Sequence, residues 1–195
     1  MLTKDRIIEV VIEMIKQNVN VSTVSLSEIA KKANIGKSTV YEHFQNKEEL
    51  IHCAYMQILN YYENELLAPL NKNTYKEAFI EQYRRILYSM NSAKNMVETI
   101  LSQSKQIWYP NSKVFDEKLK NLKLKMANRF FDIFHLGVKE GYIPIDTEMK
   151  EKKGYIIQAI MTGLLFQYIN GQTKLDESEL MEFCFIEVTN RLKHN

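Results

Sequence analysis

Turn-forming residues are scarce in this chain, with six glycines and three prolines in 195 residues. A sandwich or barrel needs a turn about every 8 to 12 residues, and most such turns use Gly, Pro or Asn. The scarcity therefore argues against an all-β fold and for long helices. Hydrophobic residues make up 45% of the chain and aromatics 11%, enough for a sizeable core, which excludes wholesale disorder. The expected fold class is all-α, in one or two domains.

No apolar run approaches the roughly 18 residues needed to span a bilayer. Lys4, Asp5, Arg6, Glu9 and Glu13 make the first residues too charged for a secretory signal. The expectation is a cytoplasmic protein with no membrane partner. Cys53 and Cys184 lie far apart and form no metal spacing, so both are expected as buried thiols.

Apolar stripes at helical spacing run through the whole chain. Residues 3–17 carry Ile7, Ile8, Val11, Ile12 and Ile15, with Thr3 placed to cap. A connector, rather than a strand, follows. Ser25 and Glu28 form a capping box that opens a short second helix. Asn46 and Glu49 open a long helix that should end before Pro69. Stripes at 75–90 and 93–108 come next, and Pro110 interrupts. From Ser112 the series Phe115, Leu119, Leu122, Met126, Phe130, Phe134 and Val138 leads to a stop at Gly141 and Pro144. Asp146 is expected to cap the next helix, which is apolar on more than one side up to Gly171, and Asp176 with Glu179 caps the last.

Residues 25–47 read SLSEIAKKANIGKSTVYEHFQNK. Ile29, Ala30, Ala33, Ile35, Val40 and Phe44 are spaced so that two short helices and a bend at 34–36 share one small core. Ala30 lets the helices cross closely, and Asn34 tolerates the left-handed backbone such a bend requires. The pattern is that of a helix-turn-helix. Its second helix would present Lys37, Ser38, Thr39, Tyr41, Glu42 and His43 outward, most of them able to donate to phosphates or base edges.

The stretch IAKKANIGKSTVYEHFQNKEEL resembles the DNA-binding domain of TetR-type transcriptional regulators, matching its pattern at Ile29, Ala30, Ala33, Thr39, Tyr41, His43, Phe44, Lys47 and Leu50. It departs at Asn34, Gly36, Ser38 and Asn46. The resemblance implies a helix-turn-helix domain over 1–47 and an effector-binding and dimerisation domain over 48–195. It implies that Thr39, Tyr41, His43 and Lys47 touch the DNA backbone and that Lys37 and Ser38 lie near base edges. Ser25 and Ser27 would hold a phosphate with their N–H groups. Residues 1–53 carry seven basic and seven acidic side chains, so affinity for a duplex must come from placed contacts and from dimerisation.

A regulator of this type further implies a palindromic operator, a small, largely apolar effector, and a homodimer formed through the last two helices, with Gly163 allowing close approach. Candidate effector contacts are Tyr83, Trp108, Asn128, Phe131, Phe134, Gln158 and Thr162. Between Lys105 and Arg129 seven basic residues face two acidic ones, and these read as the wet side of an amphipathic helix. Glu49 and His52 form an ExxH without the second ExxH and further glutamates that a di-iron bundle needs. No metal, cofactor or catalytic set is therefore expected. The competing readings are a helical enzyme or an adaptor with a DNA-binding-like first module.

Overall fold

In the computed structural model the described residues are 3–102, 113–147 and 151–193. Among them are eight helices and no strand: α1 (Thr3–Lys16), α2 (Leu26–Lys32), α3 (Lys37–His43), α4 (Lys47–Leu67), α5 (Tyr75–Ser102), α6 (Lys113–Lys139), α7 (Glu151–Ile169) and α8 (Glu177–Lys193). The fold is all-α, as the sequence indicates. None of the described helices is long and apolar enough to cross a membrane.

The chain divides into two compact units, Met1–Asn64 with Ser92–Asn121, and Glu65–Asn91 with Leu122–Asn195. The expected boundary after residue 47 does not follow this division. Leu50, Ile51, Ala54, Tyr55 and Ile58 of α4 are buried in the same core as α1 to α3, so the short helices have no complete core without α4.

In the first unit, α1 buries Ile7, Ile8, Val11, Met14 and Ile15 against Ile29, Ala30, Val40 and Phe44. In the second, Tyr75, Phe79, Tyr83 and Leu87 project at four-residue steps from α5. They meet Ile133 and Phe134 of α6, Ile157, Met161 and Leu165 of α7, and an α8 stripe from Leu180 to Leu192. The buried tyrosines find partners for their polar tips: the Tyr83 hydroxyl donates to the Met161 carbonyl at 2.8 Å, and the Tyr75 and Thr189 hydroxyls lie 3.0 Å apart. Burial pushes the Tyr75 phenol and the Cys184 thiol each up to about 12. Cys184 is buried as expected, whereas Cys53 is only half-buried.

Four helices end in one motif. After α1, α2, α6 and α7 a residue with positive φ (Asn18, Asn34, Gly141, Gly171) is followed by an N–H that returns to a carbonyl in the last turn. In α2 the pair is Ile35 N–H to Ala30 at 3.0 Å with Asn34 N–H to Lys31 at 3.1 Å. This is the Schellman arrangement, with asparagine in two of the four left-handed positions.

Several expectations need correction. The stripes at 75–90 and 93–108 do not form two helices, since α5 runs unbroken to Ser102. Asn91 and Ser92 are weak helix formers, not breakers. Trp108 and Pro110 lie outside the described residues. Thr3 is the first residue of α1 rather than its cap. Asp146 sits in a turn, where the Thr147 N–H donates to Pro144, and α7 is described only from Glu151. The Asp176 and Glu179 box is present, each carboxylate accepting the other residue's N–H at 2.9 and 2.8 Å.

Candidate nucleic-acid interface

The helix-turn-helix begins with a fixed cap. Ser25 has extended backbone (φ −75, ψ 153), its hydroxyl accepts the Glu28 N–H at 3.2 Å, and the Glu28 carboxylate accepts the Ser25 N–H at 2.7 Å. These bonds from the Ser25 backbone and hydroxyl hold the Glu28 carboxyl below its ordinary range, helped by Lys32 and Lys47. The Ser25 N–H is thus already taken by a carboxylate, so it does not stand free for a phosphate. Ser27 is exposed on the first turn of α2.

The bend that follows turns on Asn34, whose φ of 53 is the left-handed value its short polar side chain tolerates. Gly36 then caps α3 with extended backbone (φ −71, ψ 149), contributing no side-chain bond. Only Val40 of α3 is buried. This single anchor, with Phe44 buried just beyond the helix, leaves the rest of α3 on the outside.

Lys37, Ser38, Tyr41 and Glu42 are exposed, while Thr39 and His43 are half-buried. Tyr41 keeps 51% of its surface in solvent, an unusual position for so large a ring. Its face is covered by the Lys37 ammonium, 5.8 Å from the ring centroid, a cation–π contact that holds both side chains on the same outer surface. Between α2 and α3 lies a hollow lined by Ser27, Lys31, Asn34, Gly36 and Lys37.

Lys47, the first residue of α4, donates from its ammonium to the Ser22 carbonyl. The start of α4 is otherwise capped by Asn46, whose side chain accepts the Glu49 N–H at 2.8 Å. The Glu49 carboxylate reaches past Asn46 to the Gln45 N–H at 2.7 Å. Lys37, Ser38, Thr39, Tyr41 and His43 thus lie on α3, whereas Lys47 opens α4 and is tied to the connector before α2.

The same segment carries the relationship to known proteins. Residues 17–53 match the family model described as bacterial regulatory proteins of the tetR family. A transcriptional regulator of the helix-turn-helix type from Pseudomonas putida, SrpR, is 25% identical over 176 residues, covering 87% of this chain and 76% of that protein. An uncharacterised regulator of the same type from Haemophilus influenzae is 30% identical over 122 residues, or 62% of this chain and 60% of that protein. The chain is thus similar to TetR-family transcriptional regulators, most specifically over its helix-turn-helix. This likeness favours the regulator reading over the helical-enzyme one, and the family match falls on the helix-turn-helix just described. The TetR fold extends beyond it: a tetR-family regulator from Streptomyces coelicolor superposes with a TM-score of 0.65 at 11% identity, over 97% of this chain and 79% of that one.

The residues expected to meet an effector do not converge. Tyr83 and Phe134 are packed in the core, and Phe131 is 67% exposed. Asn128, Gln158 and Thr162 are exposed, and the Thr162 hydroxyl donates back to the Gln158 carbonyl at 2.7 Å. Trp108 lies outside the described residues. Helical spacing cannot tell a pocket wall from a core or from an outer face when, as in α7, apolar residues occur all round the helix.

Sequence reasoning also missed Arg129. Counted there in a solvated basic run, it instead donates to the carbonyls of Leu67 at 2.8 Å and Ala68 at 3.0 Å. The signal available was Pro69, which ends α4 without a glycine to cap it.

Proposed function

We propose that this regulator is a cytoplasmic homodimeric repressor that sits on a palindromic operator and leaves it when a small, largely apolar effector binds the part of the chain beyond residue 47. In this reading Thr39, Tyr41, His43 and Lys47 contact the DNA backbone, Lys37 and Ser38 approach base edges, and Ser27 approaches a phosphate. The observation that carries it is the outward face of α3, where only Val40 is buried and Tyr41 and Lys37 stack in solvent.

The dimer is proposed through α7 and α8. Tyr155 (60% exposed) and Phe166 (58%) on α7, and Phe183 and Ile186 (43% each) on α8, expose apolar surface that a lone chain leaves wet. A Cβ built on Gly163 meets nothing within 4 Å, so no packing inside the chain requires a glycine there, whereas close approach of a partner helix does. Gln158 and Thr162 lie at four-residue steps from Phe166 and suit this contact better than an effector pocket. Dimerisation doubles the placed DNA contacts over half-sites about 34 Å apart. Effector binding then shifts the dimer toward a form whose recognition helices no longer match that spacing, with α4 as the lever.

The test is retardation of a DNA fragment from upstream of the chain's own gene by the purified protein, followed by a screen of small apolar compounds for release. Retention of the fragment and its release by one compound class support the repressor reading. Sequence-selective binding that effectors only strengthen would make the protein a co-repressed or activating regulator, and no selective binding would overturn the reading.

A further inference from the structure

The outer side of α1 carries a charge pattern that helix stability does not call for. Arg6, Glu9, Glu13 and Lys16 follow one another at three- and four-residue steps, and all four are exposed. Glu9 and Glu13 stand one turn apart, a like-charge spacing that weakens a helix. Among the described residues no ion pair neutralises either carboxylate, and the bond that Glu13 accepts from the Gln17 amide at 3.2 Å brings no positive charge. Arg6 and Lys16 balance the stripe in sum but not in place. Each sits at an end, so the middle of the stripe stays negative.

This stripe borders a hollow of about 1000 Å³ on α1 and α4, wholly within the first unit. Val10, Ile15 and Ile58 give it an apolar wall, and Tyr61 and Tyr62 give it an aromatic one. The two rings stand edge to face, with centroids 5.4 Å apart and planes at 71°, so their faces look in two directions. Tyr61 keeps 60% of its surface in solvent. The face of an aromatic ring is the negative part of its quadrupole, so rings and carboxylates favour the same sign of charge in a ligand. A bare metal ion would leave the apolar wall uncovered, and a neutral apolar compound would gain nothing from the carboxylates. The volume suits a drug-sized molecule.

The geometry points to a ligand site in the first unit that takes an organic cation with a bulky apolar or aromatic body. Its charge lies against Glu9 and Glu13, and its body against Tyr61, Tyr62 and the apolar wall. This site is separate from the effector site proposed above, because α1 supplies its carboxylates, and its occupation requires no DNA.

The test is calorimetric titration of the full-length protein, without DNA, using tetraphenylphosphonium and tetraphenylborate, ions of the same shape and opposite charge. Expected is binding of the cation about tenfold tighter than of the anion, with the preference shrinking as salt is added. Glu9→Gln combined with Glu13→Gln should abolish the preference. Tyr61→Ala should weaken the cation about fivefold, the loss of one cation–π contact. All three residues are exposed, so the core of the unit is untouched by these changes. Arg6→Gln combined with Lys16→Gln should tighten the cation. Anion binding as tight as that of the cation, or no cation binding at millimolar concentration, would overturn the site. So would cation binding left unchanged by the paired glutamine variant or by Tyr61→Ala.

Discussion

The ammonium of Lys47 donates to the backbone carbonyl of Ser22, tying the first turn of α4 to the connector in front of α2. An ammonium has three donors, so one bond to Ser22 leaves two for a phosphate oxygen. Lys47→Ala should weaken DNA binding alike on every sequence and flatten the plot of log K against log[salt] by about 0.9 per lost phosphate contact. Binding titrations at several salt concentrations check this. An altered base preference with an unchanged slope would assign Lys47 to base readout instead.

The Ser25–Glu28 box should stabilise the first unit. Ser25→Ala is expected to cost about 1 kcal/mol, read from denaturant unfolding. The Glu28 carboxyl is held below its ordinary range by bonds it makes only when folded. Its contribution is therefore complete above the ordinary carboxylate range and is lost as pH falls through the lowered folded value. Glu28→Gln should remove that part of the acid-side loss of stability, and an unfolding profile with the wild-type pH slope would refute the assignment.

Gly137 packs where no side chain fits. A Cβ there would stand 2.7 Å from the Ile143 methyl and 3.0 Å from the ring of Tyr75, both buried. Alanine in a helix gains roughly 0.5–1 kcal/mol over glycine, but overpacking a closed core costs about 1–3 kcal/mol. Gly137→Ala should therefore destabilise the second unit, seen as a lowered melting temperature, and a raised one would mean that Tyr75 yields.

Phe166→Glu places a charge on the exposed α7 face without touching the core. The variant should sediment as a monomer while its unfolding free energy, measured at low concentration, stays within about 0.5 kcal/mol of the wild-type chain. Retention of the dimer would move the interface away from α7.

Much of this was legible from residue order alone. Asn34 announced the bend, Ser25 with Glu28 announced the start of α2, and the unbroken stripe from Phe115 to Val138 announced α6. What stayed hidden depends on meetings far apart in sequence. Arg129 looks like any cation of a solvated face until the end of α4, 60 residues earlier, is brought beside it. Gly137 shows its purpose only against Tyr75, and the gap between the stripes at 75–90 and 93–108 is bridged because Asn91 and Ser92 are weak helix formers rather than breakers. For Phe131, Phe134, Gln158 and Thr162, periodicity gave the helix but not which side of it faced the core.

The decisive experiment is a footprint and titration of the selected duplex with wild type and Tyr41→Phe side by side. Expected are two chains per duplex, protection of two half-sites about one helical turn apart, and a loss of about 1 kcal/mol or more for Tyr41→Phe, the cost of one hydrogen bond to a charged phosphate, with the protected sequence unchanged. Binding that ignores sequence, or a selective complex as tight with Tyr41→Phe and Lys47→Ala as with wild type, would contradict the assignment of the α3 surface to the operator.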